Sequence, residues 1–235
     1  IESESLRGNT LLSPTLLAML VGLAMPLIVL LTLSFWIQEY LDFIRTFSLK
    51  NYLDFFQKPI YTKILFKSIR MSGMVTFVTV LLAYPMAYYI AFRVKQNKLI
   101  WLILITVPFW TSYLLRVFAW KIMLGYNGVI NSGLKTLGIL SEPLEFLLYN
   151  PTAVVITLAH AWAAFAILPI YVSLEKIDRS LLEASQDLGE NTFMTFLRVT
   201  LPLSLPGVIA ASLLVFIPTV GDYVTPSLVG GPRGI

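Results

Sequence analysis

The chain has 235 residues, a formal net charge of +4, and only 13% charged residues against 57% hydrophobic ones. A soluble globular domain carries about 25% charged residues, so this composition excludes an ordinary soluble domain. The sequence contains no cysteine and a single histidine, His160, which excludes disulfides, thiolate metal sites and a multi-histidine metal centre. It contains no cluster of basic residues typical of nucleic-acid binding. We therefore expect neither a metal site nor a nucleic-acid partner.

Five long apolar segments predict membrane-spanning helices. A helix needs about 20 residues, at about 1.5 Å each, to cross the hydrocarbon of a bilayer. The segments are continuously apolar and do not alternate with polar residues, which favours helices over strands. The prediction is an all-α, polytopic membrane helix bundle. Its spans cover residues 13–37, 71–92, 99–124, 152–174 and 206–229.

The first apolar run predicts a retained span. It extends without a charge from Gly8 to Gln38, longer than the apolar core of about 7–15 residues in a signal peptide. Prolines also fall inside or near the ends of the spans. Neighbouring helices in a bundle satisfy the carbonyls that a proline frees, so these prolines indicate either kinks around a cavity or kinks that are merely tolerated. They are Pro26, Pro85, Pro108 and Pro169.

Span parity places the connections 93–98 and 175–201 on one membrane face and the connections 38–70 and 125–150 on the other. Cytoplasmic loops carry an excess of lysine and arginine. By this rule, Arg7 and the basic 93–98 connection indicate that the membrane face on which they lie is cytoplasmic. Residues 38–70, however, carry six basic residues of their own. Charge alone therefore leaves the orientation open.

The connection between the fourth and fifth spans has strong local signals. Ser180 and Glu183 have the spacing of a capping box, which predicts a helix that begins at Ser180. Gly189 ends that helix because glycine accepts the left-handed conformation. Asn191 is a cap for a second short helix, and Pro202 predicts a break before the fifth span. The expected structure is two short helices joined by a sharp bend.

Apolar side chains on this connection favour docking into the groove of a partner protein, as amphipathic helices do. These candidate contact residues are Leu181, Leu182, Phe193, Phe196 and Leu197.

The same connection resembles the EAA loop of type I ABC importer permeases. The family pattern is E-A-A, three residues, G, nine residues and I-x-L-P. Here the pattern is matched by Glu183-Ala184-Ser185, Gly189 and Val199-x-Leu201-Pro202, with serine replacing the second alanine and valine replacing isoleucine. The resemblance implies that residues 175–202 are a cytoplasmic coupling loop within a single permease domain, 1–235, and that the N-terminus is cytoplasmic. The residues expected to carry coupling to the ATPase are Glu183, Ala184, Ser185, Gly189, Phe193, Phe196, Leu201 and Pro202.

Two further segments resemble spermidine/putrescine ABC permeases, the first of their two permease types. They are residues 108–120 and residues 217–226, the latter followed by Gly230-Gly231-Pro232-Arg233. The resemblance implies a multi-pass subunit of the bacterial inner membrane that contacts lipid. Its expected partners are a second permease, an ABC ATPase dimer and a solute-binding protein. It also implies a sixth span after the 230–233 segment, which this sequence does not include.

One carboxylate and several aromatic residues in the spans are candidates for the substrate pathway. Ionisable groups in a membrane usually face a cavity or a partner, and aromatic faces attract cations by about 0.5–2 kcal/mol each. Asp222 is expected to receive an ammonium group of a polyamine. Alternatively, it pairs with Arg116 or Lys121 or lies at the outer interface, and either basic residue would suit an anionic solute instead. The pathway candidates are Asp222, Tyr223, Tyr84, Tyr88, Tyr113 and Trp162.

The sequence has no phosphate-binding loop of the G-x-x-x-x-G-K-[ST] type. We therefore expect a non-catalytic transport subunit that binds no cofactor, with ATP and Mg²⁺ held by the partner ATPase. Two alternatives remain open. One is a permease for another small solute, such as an amino acid-like compound or an inorganic anion. The other is a channel or secondary transporter, which leaves the bent connection unexplained.

Overall fold

A computed structural model describes residues 2–39, 42–144, 147 and 149–231, with side chains from residue 12 onward except those of 39 and 42. Pro232 and Arg233, the end of the 230–233 motif, lie outside the described residues. The chain forms two compact units, residues 1–66 and 67–235. The division falls within one long helix.

The first unit contains two helices, a small hairpin and the beginning of a third helix. Helix α1 spans Glu2–Ser34, and strands β1 (Ile37–Glu39) and β2 (Asp42–Ile44) pair antiparallel with Ile37 opposite Ile44. Helix α2 spans Lys50–Gln57. The Asn51 side-chain amide donates to the carbonyl oxygens of Ser34 and Trp36, at 2.9 and 2.8 Å. These bonds tie α2 to the end of α1.

Helices build the second unit. The helix shared with the first unit, α3, spans Pro59–Tyr88 and continues into a π-helical turn at Tyr89–Arg93. Helix α7 spans Pro151–Glu175 and is followed by the short helix α8, Arg179–Asp187. A helical stretch from Thr192 to Val220 then contains α9 (Thr192–Thr195), a π-helical turn at Phe196–Thr200 and α10 (Leu201–Val220). A further π-helical turn covers Pro226–Gly230. The remaining bounds are α4 Lys98–Thr106, α5 Tyr113–Leu124 and α6 Val129–Thr136.

The core of the second unit lies where α7 packs against α10. Helix α7 begins sharply because the Asn150 side chain accepts hydrogen bonds from the N–H groups of Thr152 and Ala153, at 2.7 and 3.1 Å. Its partner α10 approaches closely at Gly207. A Cβ there would lie 2.4 Å from Ser173 Oγ and 2.5 Å from the Pro169 carbonyl oxygen. Small residues at such crossings let membrane helices pack tightly.

The predicted spans are confirmed in number, with two corrections to their form. Among the described residues, four helices are long and apolar enough to span a membrane, and a helix pair bent by 86° makes a fifth if it is counted as one span. That pair, Lys98–Trp110 and Tyr113–Thr136, replaces the continuous helix predicted at 99–124. The bend follows Pro108, which cannot donate to the helical ladder, and the chain is extended at Thr111.

The second correction concerns the fifth span. Its helical stretch covers Thr192–Val220 and does not follow the predicted bounds of 206–229. The break predicted before Pro202 does not occur. Thr200 and Leu201 keep helical backbone angles, and the wider π-helical turn precedes the proline. Pro85 and Pro169 likewise lie inside continuous helices, since membrane helices tolerate proline when local adjustments satisfy the freed groups.

Candidate functional site

The bend, defined as residues 178–200, begins with a capping residue that the sequence analysis missed. Helix α8 begins at Arg179, and the Asp178 side chain accepts a hydrogen bond from the Ser180 N–H at 3.0 Å. The prediction that Ser180 and Glu183 form the cap is therefore wrong by two residues, and Glu183 is exposed. Hydrogen bonds from Ser180 hold the pKa of Asp178 below its usual value. Asp178 is itself a preferred capping residue, so this signal was present in the sequence.

The end of α8 is set by Gly189, as predicted. Its φ of +89° lies in the left-handed region. The Gly189 N–H donates to the Gln186 carbonyl at 2.9 Å, and the Glu190 N–H donates to the Ser185 carbonyl at 3.2 Å. These two bonds form a Schellman motif, which satisfies carbonyls at a helix C-terminus. The chain therefore turns sharply at a residue that tolerates the required conformation.

The second arm of the bend also begins as predicted, at Asn191. Its side chain accepts a hydrogen bond from the Met194 N–H at 2.9 Å. The arm does not end as a separate short helix, however. It continues through the π-helical turn into α10, so the bend is joined directly to the last described span.

Two side-chain contacts hold the arms of the bend together. Ser185 Oγ and Thr195 Oγ1 lie 3.0 Å apart and are both buried. Glu190 and Arg198 form an ion pair. Ser185 stands where the EAA pattern has its second alanine, so this chain adds a hydrogen bond across the bend at a position that the pattern leaves apolar.

The bend exposes several apolar side chains. Leu188 is 87% exposed and Phe193 is 65% exposed, and Leu181 and Leu197 are exposed as well. Ala184 and Pro202 are also exposed. Leu188 was not among the predicted contact residues, because it lies just before the glycine and outside the helical pattern. An exposed leucine at a tight turn suits contact with a groove on a partner protein.

Phe196, in contrast, packs against α3. Its ring meets Tyr84 edge-on, with centroids 5.6 Å apart, and Tyr88 likewise at 6.1 Å. Tyr84 Oη also lies 2.8 Å from Ser204 Oγ. These residues adjoin a cavity of about 500 Å³ between α3 and α10, which is also lined by Leu201. We therefore do not retain Phe196 among the docking residues.

Asp222 lies in a second group of residues, which we call the carboxylate cluster: Tyr113, Asp222 and Thr225. The Asp222 Oδ1 atom accepts hydrogen bonds from the N–H groups of Val224 and Thr225, at 2.9 and 3.3 Å. Its Oδ2 atom accepts one from the Tyr113 hydroxyl at 2.5 Å, and that hydroxyl also lies 2.5 Å from Thr225 Oγ1. Asp222 thus caps the helical segment after α10, and α5 supplies a further donor.

Aromatic rings extend from the carboxylate cluster along α7. Trp162 lies on α7 with its ring centroid 6.5 Å from that of Tyr113, and Phe165 continues the contact at 5.3 Å from Trp162. Tyr223 follows Asp222 in the chain and is 78% exposed. Three of the pathway candidates therefore meet in space, at Tyr113, Trp162 and Asp222.

The other two tyrosines predicted for the pathway, Tyr84 and Tyr88, form a separate group. They lie beside Phe196 and Ser204, near the first turn of α10, whereas Asp222 follows its last turn. From Ser204 to Val220 the axis of α10 rises by about 24 Å. The candidate residues are thus divided between the two ends of one helix.

The two basic residues near this region have other contacts. The Arg116 Nη1 atom donates to the Pro108 carbonyl at 3.1 Å, and its guanidinium lies 5.1 Å from the Phe109 ring centroid. Lys121 lies 5.9 Å from the Tyr149 ring centroid. Among the described residues, neither forms a salt bridge with Asp222. Arg116 therefore supports the break at Pro108.

Residues 7–235 match the family described as the inner membrane component of binding-protein-dependent transport systems. The chain is 38% identical over 209 residues to the spermidine/putrescine transport system permease protein PotB of Haemophilus influenzae, covering 88% of this chain and 72% of that relative. It is 34% identical over 212 residues to PotB of Escherichia coli, covering 90% and 76%.

The fold resembles a chain of a solved bacterial ABC transporter involved in the import of the acidic polysaccharide alginate. The TM-score is 0.60 at 17% identity, covering 94% of this chain and 81% of that chain. At this identity the likeness concerns the fold alone. Since the family match extends over nearly the whole sequence, this chain belongs to the inner membrane components of binding-protein-dependent transport systems, and it is a multi-pass, non-catalytic permease subunit of an ABC importer.

Proposed function

We propose that this chain forms half of the translocation pathway of an importer for polyamines such as spermidine and putrescine. Residues 1–235 act as one permease domain. A second permease supplies the other half, a solute-binding protein delivers the substrate, and an ABC ATPase dimer binds ATP and Mg²⁺. The observation that carries the proposal is the carboxylate cluster. It joins an acidic group to aromatic rings in a chain that resembles PotB over about nine-tenths of its length.

The bend is the contact with the ATPase in this proposal. Its two capped arms, left-handed glycine and buried hydroxyl pair give it a defined shape. Leu188 and Phe193 present apolar surface from that shape. A defined apolar projection that enters a groove is a common mode of helix recognition. Residues 175–202 then act as the coupling loop.

This assignment also orients the chain. If the bend is cytoplasmic, the end of α3 that contacts Phe196 is cytoplasmic, because Tyr88 and Phe196 touch. Helix α3 then begins on the outer side, and the one span before it, α1, begins inside. The N-terminus is cytoplasmic, and the carboxylate cluster lies toward the outer end of α10.

Polyamine recognition follows from the chemistry of the cluster. A carboxylate has about four acceptor positions, and three of those on Asp222 accept hydrogen bonds within the protein. In this proposal the remaining position accepts an ammonium group. The exposed Tyr223 ring and the Trp162 ring offer faces that hold both methylene groups and cations. Asp222 is the only acidic residue in the sequence after Leu201.

Asp222→Asn tests the substrate class. Asparagine keeps an acceptor for the Val224 and Thr225 N–H groups, so the cap survives while the charge is lost. The experiment is uptake of radiolabelled spermidine by the purified assembly in proteoliposomes with its binding protein. We expect a loss of about 10–100-fold in uptake, as for a hydrogen bond to a charged group, with the ATPase still bound.

The control is Glu142→Gln, which removes an exposed carboxylate outside the bend and the carboxylate cluster and is expected to leave spermidine uptake unchanged. Normal spermidine uptake by Asp222→Asn would give Asp222 a purely structural role. Stimulation of ATP hydrolysis by an inorganic anion, with none by spermidine, would overturn the substrate class.

A further inference from the structure

Two π-helical turns adjoin the contact between α3 and the bend. One, at Tyr89–Arg93, follows directly after Tyr88, and the other, at Phe196–Thr200, begins with Phe196. The rings of Tyr88 and Phe196 are in contact, with centroids 6.1 Å apart. Single π-helical turns are uncommon and often mark functional positions. Here the first turn ends the long helix α3, and the second lies within the helical stretch that joins the bend to α10.

Phe196 has a second aromatic partner on α3. Tyr84 lies one turn before Tyr88, and its ring meets Phe196 at 5.6 Å with the planes 86° apart. The Tyr84 hydroxyl also contacts α10, since its Oη atom lies 2.8 Å from Ser204 Oγ. Edge-to-face aromatic pairs have a preferred geometry, so movement of the Phe196 ring disturbs both tyrosines.

Phe196 also lies beside an open space. The cavity of about 500 Å³ is lined by Thr76, Val80, Tyr84, Phe196 and Val208, among others. Tyr84 and Phe196 both line it, so the Phe196 ring packs against tyrosines and also borders open volume. Close-packed interiors transmit small shifts, whereas an open side lets a ring change position.

We propose that Phe196 is a positioning residue that transmits movement of the bend to Tyr84 and Tyr88, and so to α3. The inference rests on the proposed function, in which the bend contacts the ATPase. Phe193 and Phe196 lie one helical turn apart, downstream of the Asn191 cap. Phe193 is exposed for docking, whereas Phe196 faces α3. A single helical turn thus joins the docking surface to the span.

The test compares two alanine variants of the same residue type. In proteoliposomes of the full assembly, spermidine uptake and ATP hydrolysis are measured together, and ATPase retention is measured by co-purification. For Phe196→Ala we expect retention and hydrolysis to persist while uptake per ATP falls about tenfold, a typical scale for altered coupling. For the control, Phe193→Ala, we expect loss of the ATPase from the complex.

Two further variants keep the test informative. Phe196→Leu retains apolar volume but has no ring edge, and it replaces Phe196→Ala if that variant does not accumulate in the membrane. We expect it to show an intermediate loss of uptake per ATP. Tyr88→Leu removes the reciprocal partner. Combined with Phe196→Ala, it should add little to the single loss, because residues in contact are not additive.

The outcomes separate this inference from the proposed function. The inference is overturned if Phe196→Ala keeps the wild-type ratio of uptake to hydrolysis while Phe193→Ala loses the ATPase. Phe196→Leu serves in this comparison where it replaces Phe196→Ala. This result leaves the proposed function standing. Loss of the ATPase from both alanine variants makes Phe196 a docking residue and also overturns the inference. No spermidine uptake by the wild-type assembly overturns the proposed function itself.

Discussion

Two aspartates cap helices in this protein, one at the bend and one in the carboxylate cluster. Asp178 accepts a hydrogen bond from the N–H group two residues later, and so does Asp222. Asp178 is exposed, and the hydrogen bonds that lower its pKa come from Ser180 alone. Asp222 is half-buried, and its second oxygen is bound by Tyr113 from another helix. The same capping interaction thus sets the shape of an exposed bend at one site and holds a carboxylate among apolar spans at the other.

Because of this difference, we expect different kinds of substitution to damage the bend and the carboxylate cluster. The shape of the bend depends on backbone geometry and on contacts within 23 residues of chain, and Phe196 joins it to α3. The carboxylate cluster depends on α5, α7 and the segment after α10 being held together. Changes that separate helices therefore damage the cluster first, and changes in local conformation damage the bend first.

The largest effect is expected from Gly207→Val, which acts on the packing that carries both regions. Even the Cβ atom would meet the Pro169 carbonyl at 2.5 Å, and overpacking costs about 1–3 kcal/mol or more. We expect low accumulation in the membrane and a lower unfolding temperature in detergent, with loss of both spermidine uptake and ATPase binding. Gly73→Ala is the control, because a Cβ there meets nothing within 4 Å. Equal thermal stability of the two variants would contradict the proposed packing.

A smaller and local effect is expected from Gly189→Val. The φ of +89° costs a non-glycine residue roughly 1–2 kcal/mol, and a β-branched side chain resists it further. We expect normal insertion in the membrane but loss of the ATPase on co-purification. Gly189→Asn should retain most ATPase, since asparagine tolerates this conformation. ATPase retention in the valine variant would show that the bend does not need the turn.

Tyr113→Phe tests the carboxylate cluster, at the other end of α10. It removes the hydroxyl that donates to Asp222 and contacts Thr225, leaving polar atoms less satisfied at a cost of about 1–3 kcal/mol. We expect weaker spermidine affinity, measured as a raised half-saturation concentration for uptake, with ATPase binding unchanged. Tyr126→Phe, on an exposed tyrosine, is the control. A defect in ATPase binding would mean that the two regions are not independent.

The smallest effect is expected from Asp178. Its pKa is lowered from 3.8 in the folded state, so its contribution to the bend is present above that value and is lost as the pH falls through the lower folded pKa. We expect amide hydrogen exchange in a peptide covering residues 176–190 to show a stable bend from neutral pH down to about 4. Asp178→Asn should remove the acid dependence and keep the cap. Loss of protection well above pH 4 would point to another titrating group.

Much of the bend was predictable because its signals are local. Glycine at a positive φ and asparagine as a cap act within about four residues of the chain, and both predictions are confirmed at Gly189 and Asn191. The error at Ser180 arose between two competing local signals, since Asp178 caps two residues earlier. The supposed break at Pro202 failed because the π-helical turn before it lets the helix continue.

The direction of the aromatic side chains was not predictable in the same way. Phe193 and Phe196 are alike in sequence, yet one is exposed and the other packs on Tyr84 and Tyr88. In a membrane chain nearly every position of a span is apolar, so hydrophobic periodicity does not separate the lipid-facing side from the packed side. The helix that lies opposite decides the direction.

The class of the protein follows from the sequence alone, because long uncharged runs can satisfy their backbone in a bilayer only as helices. The ends of the bend follow from it too, through residues with restricted or permissive backbones. The partners of Asp222, Phe196 and Ser185 are established only when the helices pack together. Tyr113 and Asp222 are 109 residues apart, and no local pattern encodes such a contact. It forms because α5, α7 and the end of α10 pack together, and that packing depends on the small residues where the helices cross.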